Sequence, residues 1–132
     1  MGGQQLLLIL LGVLVVAVAI TIGIGMFRDN AVRHNRDAIA NEMLHFGARA
    51  QAYYRTPRSA NGGGNSFVGL DDIRLLTATP NGINADYQLN NQGSFISLIG
   101  VGKETGIDGI NQVKVVLIVE KDSVYFDLNQ GN

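Results

Sequence analysis

Apolar positions in this chain follow three patterns. From Leu6 to Phe27 they are continuous: 22 residues with no charged side chain and a single hydroxyl, Thr21. From 28 to 56 they recur at Val32, Ile39, Met43, Phe46, Ala50 and Tyr53, at intervals of 7, 4, 3, 4 and 3. That spacing draws one apolar stripe along a helix. Beyond residue 80 the period shortens towards two, and β-branched residues crowd into 112–120.

Each pattern predicts an element. At about 1.5 Å per residue the continuous run makes a helix roughly 33 Å long, which matches a bilayer core of about 30 Å. Nothing from 28 to 56 breaks a helix, for there is no proline and only Gly47. One helix is therefore expected from about Gln4 to Thr56, stopped by Pro57, which disfavours helical geometry in the residue before it. Glu42 and Arg49 fall off the stripe and are expected on a solvated face. Strands are expected at 85–89 and 94–100, joined by a turn at 90–93. Two more are expected at 112–120 and 123–128, joined by Lys121 and Asp122, with Val124, Phe126 and Leu128 on one face. Segment 102–111 reads as an exposed Gly-rich loop, and 59–66 as a flexible one. A short helical turn near 71–76 is expected to dock Leu70, Ile73 and Leu76. The predicted fold is α+β. A long N-terminal helix, apolar in its first half and amphipathic in its second, packs through its stripe on a C-terminal antiparallel sheet of about four strands. The expected divisions are 1–27, 28–56 and 57–132.

The apolar run also carries the candidate assembly residues. Leu6, Leu10, Val16 and Phe27 supply bulk, while Gly12, Ala19, Gly23 and Gly25 let helix backbones approach closely in an apolar medium. Ala19 and Gly23 form one small-xxx-small pair. Gly23 and Gly25 also weaken a helix, by about 1 kcal/mol each. A cleaved secretory signal would start with basic residues and have a shorter apolar stretch, so the run is expected to be retained. Arg28, Arg33 and Arg36 follow it, and the positive-inside rule taken alone places the C-terminal part in the cytoplasm.

Charge and composition exclude several chemistries. The net charge of −1 gives no signal for nucleic acid. It is unevenly shared, net +3 from 28 to 58 and net −4 from 59 onward, so a basic stem and an acidic head can attract one another between copies. There is no cysteine, which removes disulfides and thiolate nucleophiles. His34 and His45 would lie roughly 16 Å apart along a helix, too far to share a metal. Glu42 and His45 make only one of the two Glu-x-x-His pairs that a di-iron bundle requires. Gly62, Gly63 and Gly64 follow no strand and precede no phosphate-loop lysine. Asp71 and Asp72 adjoin in a turn and point apart. The aromatics Phe27, Phe46, Tyr53 and Tyr54 read as packing groups. No enzyme, cofactor or metal is expected.

The layout resembles the type IV pilin and pseudopilin superfamily. The resemblance rests on Gly2 and Gly3 near the start, the apolar run, the amphipathic continuation to Tyr54, the Gly-rich loop and the C-terminal sheet. It implies a subunit that polymerises with itself through the apolar helix into an extracellular filament for adhesion, motility or secretion. It also implies an inner-membrane stage before assembly, a pilus or secretion assembly machinery as partner, and Gly2 or Gly3 as the candidate processing site. Unlike the family pattern, cleavage after Gly2 or Gly3 would leave Leu7 or Leu8, not Glu, at the fifth position. The alternatives are a single-pass membrane-anchored domain, a minor pseudopilin of a secretion complex, and a soluble binding domain.

Overall fold

The structure, a computed structural model, describes residues 2–106 and 109–128. It divides into two compact units, Met1–Ala31 and Val32–Asn132, with the boundary inside helix α1 (Gly2–Arg55). Among the described residues of the first unit only helix is present, unbroken through Gly12, Gly23 and Gly25. Its one hydroxyl hydrogen is satisfied, since Thr21 Oγ1 donates to the Ala17 carbonyl at 2.9 Å.

The second unit is built on a four-stranded antiparallel sheet in sequential order. The strands are β1 (Ala85–Asn91), β2 (Ile96–Thr105), β3 (Gln112–Val119) and β4 (Val124–Phe126). Ala85 pairs with Gly102 and Asn91 with Ile96, while Ile96 also pairs with Val119 and Leu117 with Phe126. Period-two burial follows from the pleat. Ala85 and Tyr87 of β1, Ile96 and Leu98 of β2, and Val113, Leu117 and Val119 of β3 enter the core. The expected stripe of α1 meets them: Val32, Ile39, Met43, Phe46 and Ala50 are all buried. Full burial of a side chain such as Ile39, Met43 or Leu117 contributes about 1.5–3 kcal/mol.

Glycine in β2 lets helix and sheet come together. A Cβ on Gly100 would sit 2.7 Å from Ile39 Cγ2 and 3.1 Å from Met43 Sδ, and one on Gly102 would sit 2.2 Å from Asn35 Oδ1. At Gly47 the helix in turn yields to the sheet, where a Cβ would come to 3.2 Å from Leu117 Cδ2. Phe46 meets Tyr87 edge to face, with ring centroids 4.9 Å apart.

Several details differ from expectation. Strand β2 continues past Gly100 to Thr105, with its register against β3 shifting between Val101 and Thr105, so the first four residues of the expected 102–111 loop are strand. Strand β4 is only three residues long. Val119 pairs with Val124, which makes the connection four residues, closed by the Glu120 amide donating to the Ser123 carbonyl. Leu128 lies beyond the strand and is 86% exposed, so it does not join Val124 and Phe126 against the core. The helical turn near 71–76 is a 3-10 turn, Ile73–Leu75, with Asp72 accepting from the Arg74 amide; Leu70 and Leu76 are buried and Ile73 partly so.

The Gly-rich segment is not the loose loop its composition implies. It folds back over the C-terminal end of α1. The amides of Gly62, Gly63, Gly64 and Asn65 donate to the carbonyls of Pro57, Tyr53, Thr56 and Tyr54, at 2.7–3.0 Å. A helix leaves its last carbonyls without partners, and this segment supplies donors to two of them, those of Tyr53 and Tyr54. Gly62 and Gly63 are required by contact, because their Cβ atoms would sit 2.2 Å from the Thr56 oxygen and 2.0 Å from the Ser66 oxygen. Tyr53, partly buried against the core, also meets this segment, with Gly63 and Gly69 close to its ring and hydroxyl.

Gly100→Ala is expected to cost about 1–3 kcal/mol, because the new methyl must displace Ile39 or Met43. A urea midpoint unchanged from that of the unmodified chain would show that the close approach is not needed.

Candidate functional site

The apolar helix is the one feature of the first unit, and its surface is uncovered. Leu6, Leu7, Leu8 and Ile9 are 64–68% exposed in succession, so apolar groups cover the whole circumference rather than one stripe. Leu10, Val16 and Phe27 are likewise exposed, Phe27 at 79%. Gly12, Ala19 and Gly25 lie open between them and Gly23 is half-buried, with nothing within 4 Å of a Cβ built on any of the three glycines. No contact within the unit therefore requires glycine at these three positions. Gly2 and Gly3 occupy the first helical turn and are exposed. The helix is long and apolar enough to cross a membrane, and none of its most apolar 18-residue stretch is buried.

At the other end of the run the chain turns abruptly polar. Arg28 and Arg33 are exposed and Arg36 is half-buried. Among the described residues the ion pairs are Lys103–Asp86 and Lys121–Asp122, so none of these arginines has an internal carboxylate partner.

In the second unit, the helix face assigned to solvent is exposed at Arg49 but not at Glu42. Glu42 is half-buried; it accepts from Asn84 Nδ2 at 2.6 Å and from the Tyr87 hydroxyl. Burial first, then the hydrogen bond to Glu42 and its charge, push the Tyr87 phenol well above its ordinary value, which keeps it a neutral donor. Arg49 is exposed overall, yet its Nη1 donates to the Leu76 carbonyl at 2.5 Å. Asn35, in the seven-residue gap of the stripe, donates to the Asn84 carbonyl at 2.9 Å. Glu42, His45, Arg49 and Tyr87 border a cleft of about 630 Å³ that Thr79 and Asn81 also line. The sequence signal for this node was the β1 tyrosine: a buried phenol needs an acceptor, and Glu42 is the carboxylate on the facing helix.

His34 and His45 are both exposed, and no group of three or more His, Cys, Asp or Glu among the described residues is close enough to hold a metal. With the apolar helix as its main surface feature, the chain can associate with lipid or with other helices. Comparison with protein-family models, curated proteins and solved structures gives no match.

Tyr87→Phe is expected to cost about 1–3 kcal/mol at neutral pH, because the half-buried Glu42 loses a donor. The pH dependence has a fixed sign. The folded state holds the Tyr87 proton more tightly than the unfolded state, so the phenol's contribution is complete below about pH 10 and is lost as pH rises above it. Urea midpoints measured across alkaline pH should fall less steeply in the phenylalanine variant. An identical slope would remove Tyr87 as the source.

Proposed function

We propose that this chain is a structural subunit that polymerises through its apolar helix into an extracellular filament of the type IV pilin-like kind. The filament would serve adhesion, motility or secretion. The observation that carries this reading is the apolar surface of residues 6–27, uncovered around the whole helix. Water-soluble monomers do not leave apolar surface of this extent exposed. Lipid chains cover it in a membrane-held precursor, and copies of the same helix cover it in a polymer. Moving between the two costs little, because lipid tails and leucine side chains are equally apolar. One surface therefore serves an inner-membrane stage and an assembled stage, and a pilus or secretion machinery would carry the chain between them. The small residues Gly12, Ala19, Gly23 and Gly25 support close helix contact, which a lipid-facing anchor does not need.

A second reading keeps the helix as a single-pass anchor for the folded second unit, as in a minor component of a secretion complex. It is favoured by a length that spans a bilayer and by Arg28 and Arg33 directly after the run. Electron microscopy of material sheared from cells, labelled with antibody to the second unit, separates the two. Filaments labelled along their length are expected. Ala19→Arg and Gly12→Asp should abolish them while the urea midpoint of the second unit stays unchanged. Normal filaments from both variants would defeat assembly through the helix, and label confined to membranes would establish the anchor.

A further inference from the structure

The filament reading leaves open what fixes the position of one stem along the next. We propose that the side-chain amide of Gln5 in one copy donates to Thr21 Oγ1 of a neighbouring copy, and that this bond sets their axial offset. The inference rests on the filament reading and adds the contact that defines its register.

Copies in a helical polymer are related by a repeated screw operation, so their stems run parallel and are displaced along the axis. The start of one apolar run must then lie beside the interior of another. Gln5 borders that run directly, is exposed, and makes no side-chain hydrogen bond among the described residues. Its amide carries two donor hydrogens. Once surrounded by neighbouring helices, those hydrogens lose water and need an acceptor. The backbone carbonyls of a neighbouring helix are used within that helix. Its side chains from 6 to 27 offer one oxygen, that of Thr21. The Thr21 hydroxyl spends its hydrogen on the Ala17 carbonyl, which leaves its lone pairs to accept.

Gln5 and Thr21 are sixteen residues apart, which gives an offset of roughly 24 Å. Other polar meetings are poorer. Gln5 beside Gln5 needs no offset, which a screw forbids. Gln5 beside Arg28 or Asp29 slides the apolar runs past one another and leaves almost no overlap to bury. Gln4 lies one residue farther from the apolar run that neighbouring stems would bury.

The cysteine-free chain allows a direct test. Chains carrying Gln5→Cys and chains carrying Thr21→Cys are co-assembled in an excess of unmodified chain, and the filaments are confirmed by electron microscopy before oxidation. A disulfide needs Cα atoms within about 7 Å, so the mixed dimer should exceed by at least about fivefold that formed when Val13→Cys or Phe27→Cys replaces Thr21→Cys. In a second measurement, Thr21→Val alone should lower filament yield at least about fivefold, and Gln5→Leu combined with Thr21→Val should restore it, since replacing both partners leaves no unpaired group. Filaments that cross-link best at Val13 or Phe27, or that form equally well with Thr21→Val, overturn the register and leave the filament reading standing. If the unmodified chain forms no filaments, the filament reading itself falls and this inference falls with it.

Discussion

Where α1 crosses β2, Gly100 and Gly102 present backbone instead of side chains, and Ile39 and Met43 lie directly against it. Much of the second unit is arranged around this approach. It brings Phe46 edge-on to Tyr87, Asn35 within reach of the Asn84 carbonyl, and Glu42 within reach of both Asn84 and Tyr87. A bulkier β2 would hold the helix farther out, and these polar pairs would open to water. Towards β3 and β4 the relation reverses. The sheet keeps Leu117, Val119 and Val124, and the helix gives way at Gly47. The helix thus tracks across a surface whose relief is set by residue size on both sides.

Most of this architecture was legible as periodicity. The intervals of the stripe identified the five side chains that α1 buries, because a straight helix facing a sheet has one dry side and its spacing must show it. The alternation in β1 was equally plain, since a sheet face turned to the core sorts its side chains by parity, whereas β3 showed itself by its β-branched residues, and Val116 is buried along with Val115 and Leu117. What the pattern hid were contacts set by tertiary partners. Glu42 looks solvated on a helical wheel, and only the facing Tyr87 and Asn84 make it an acceptor. Composition pointed the wrong way at 59–66, where glycine serves close backbone approach rather than looseness. Strand β2 ran longer than expected because Gly102 reads as a loop residue until the helix is laid against it. Tyr53 continues the stripe by count and packs partly against the core, and composition gave no sign that the returning Gly-rich segment would also meet it.

Helix α1 obeys two solvents along one continuous backbone. From Val32 onward its sequence is that of a protein interior on one side and water on the other. Over 6–27 it has no wet side. Intrahelical hydrogen bonding satisfies the backbone in both environments, and Thr21 satisfies its own hydrogen without outside help. The candidate site was therefore visible from sequence as a composition, while what covers it was not. Apolar side chains specify an environment but carry no directional information about a partner. Directional information resides in the few polar groups at the margins, Gln5, Thr21 and the arginines after Phe27.

The returning segment 57–65 has a mechanical consequence. Its amides hold the Tyr53 and Tyr54 carbonyls, so the C-terminal end of α1 is tied down rather than frayed. Tension applied at Val32 and directed along the axis meets the buried side chains from Val32 to Ala50 together, loading them in shear rather than peeling them one at a time. A helix anchored in that way passes an axial pull to the sheet through all of those contacts at once.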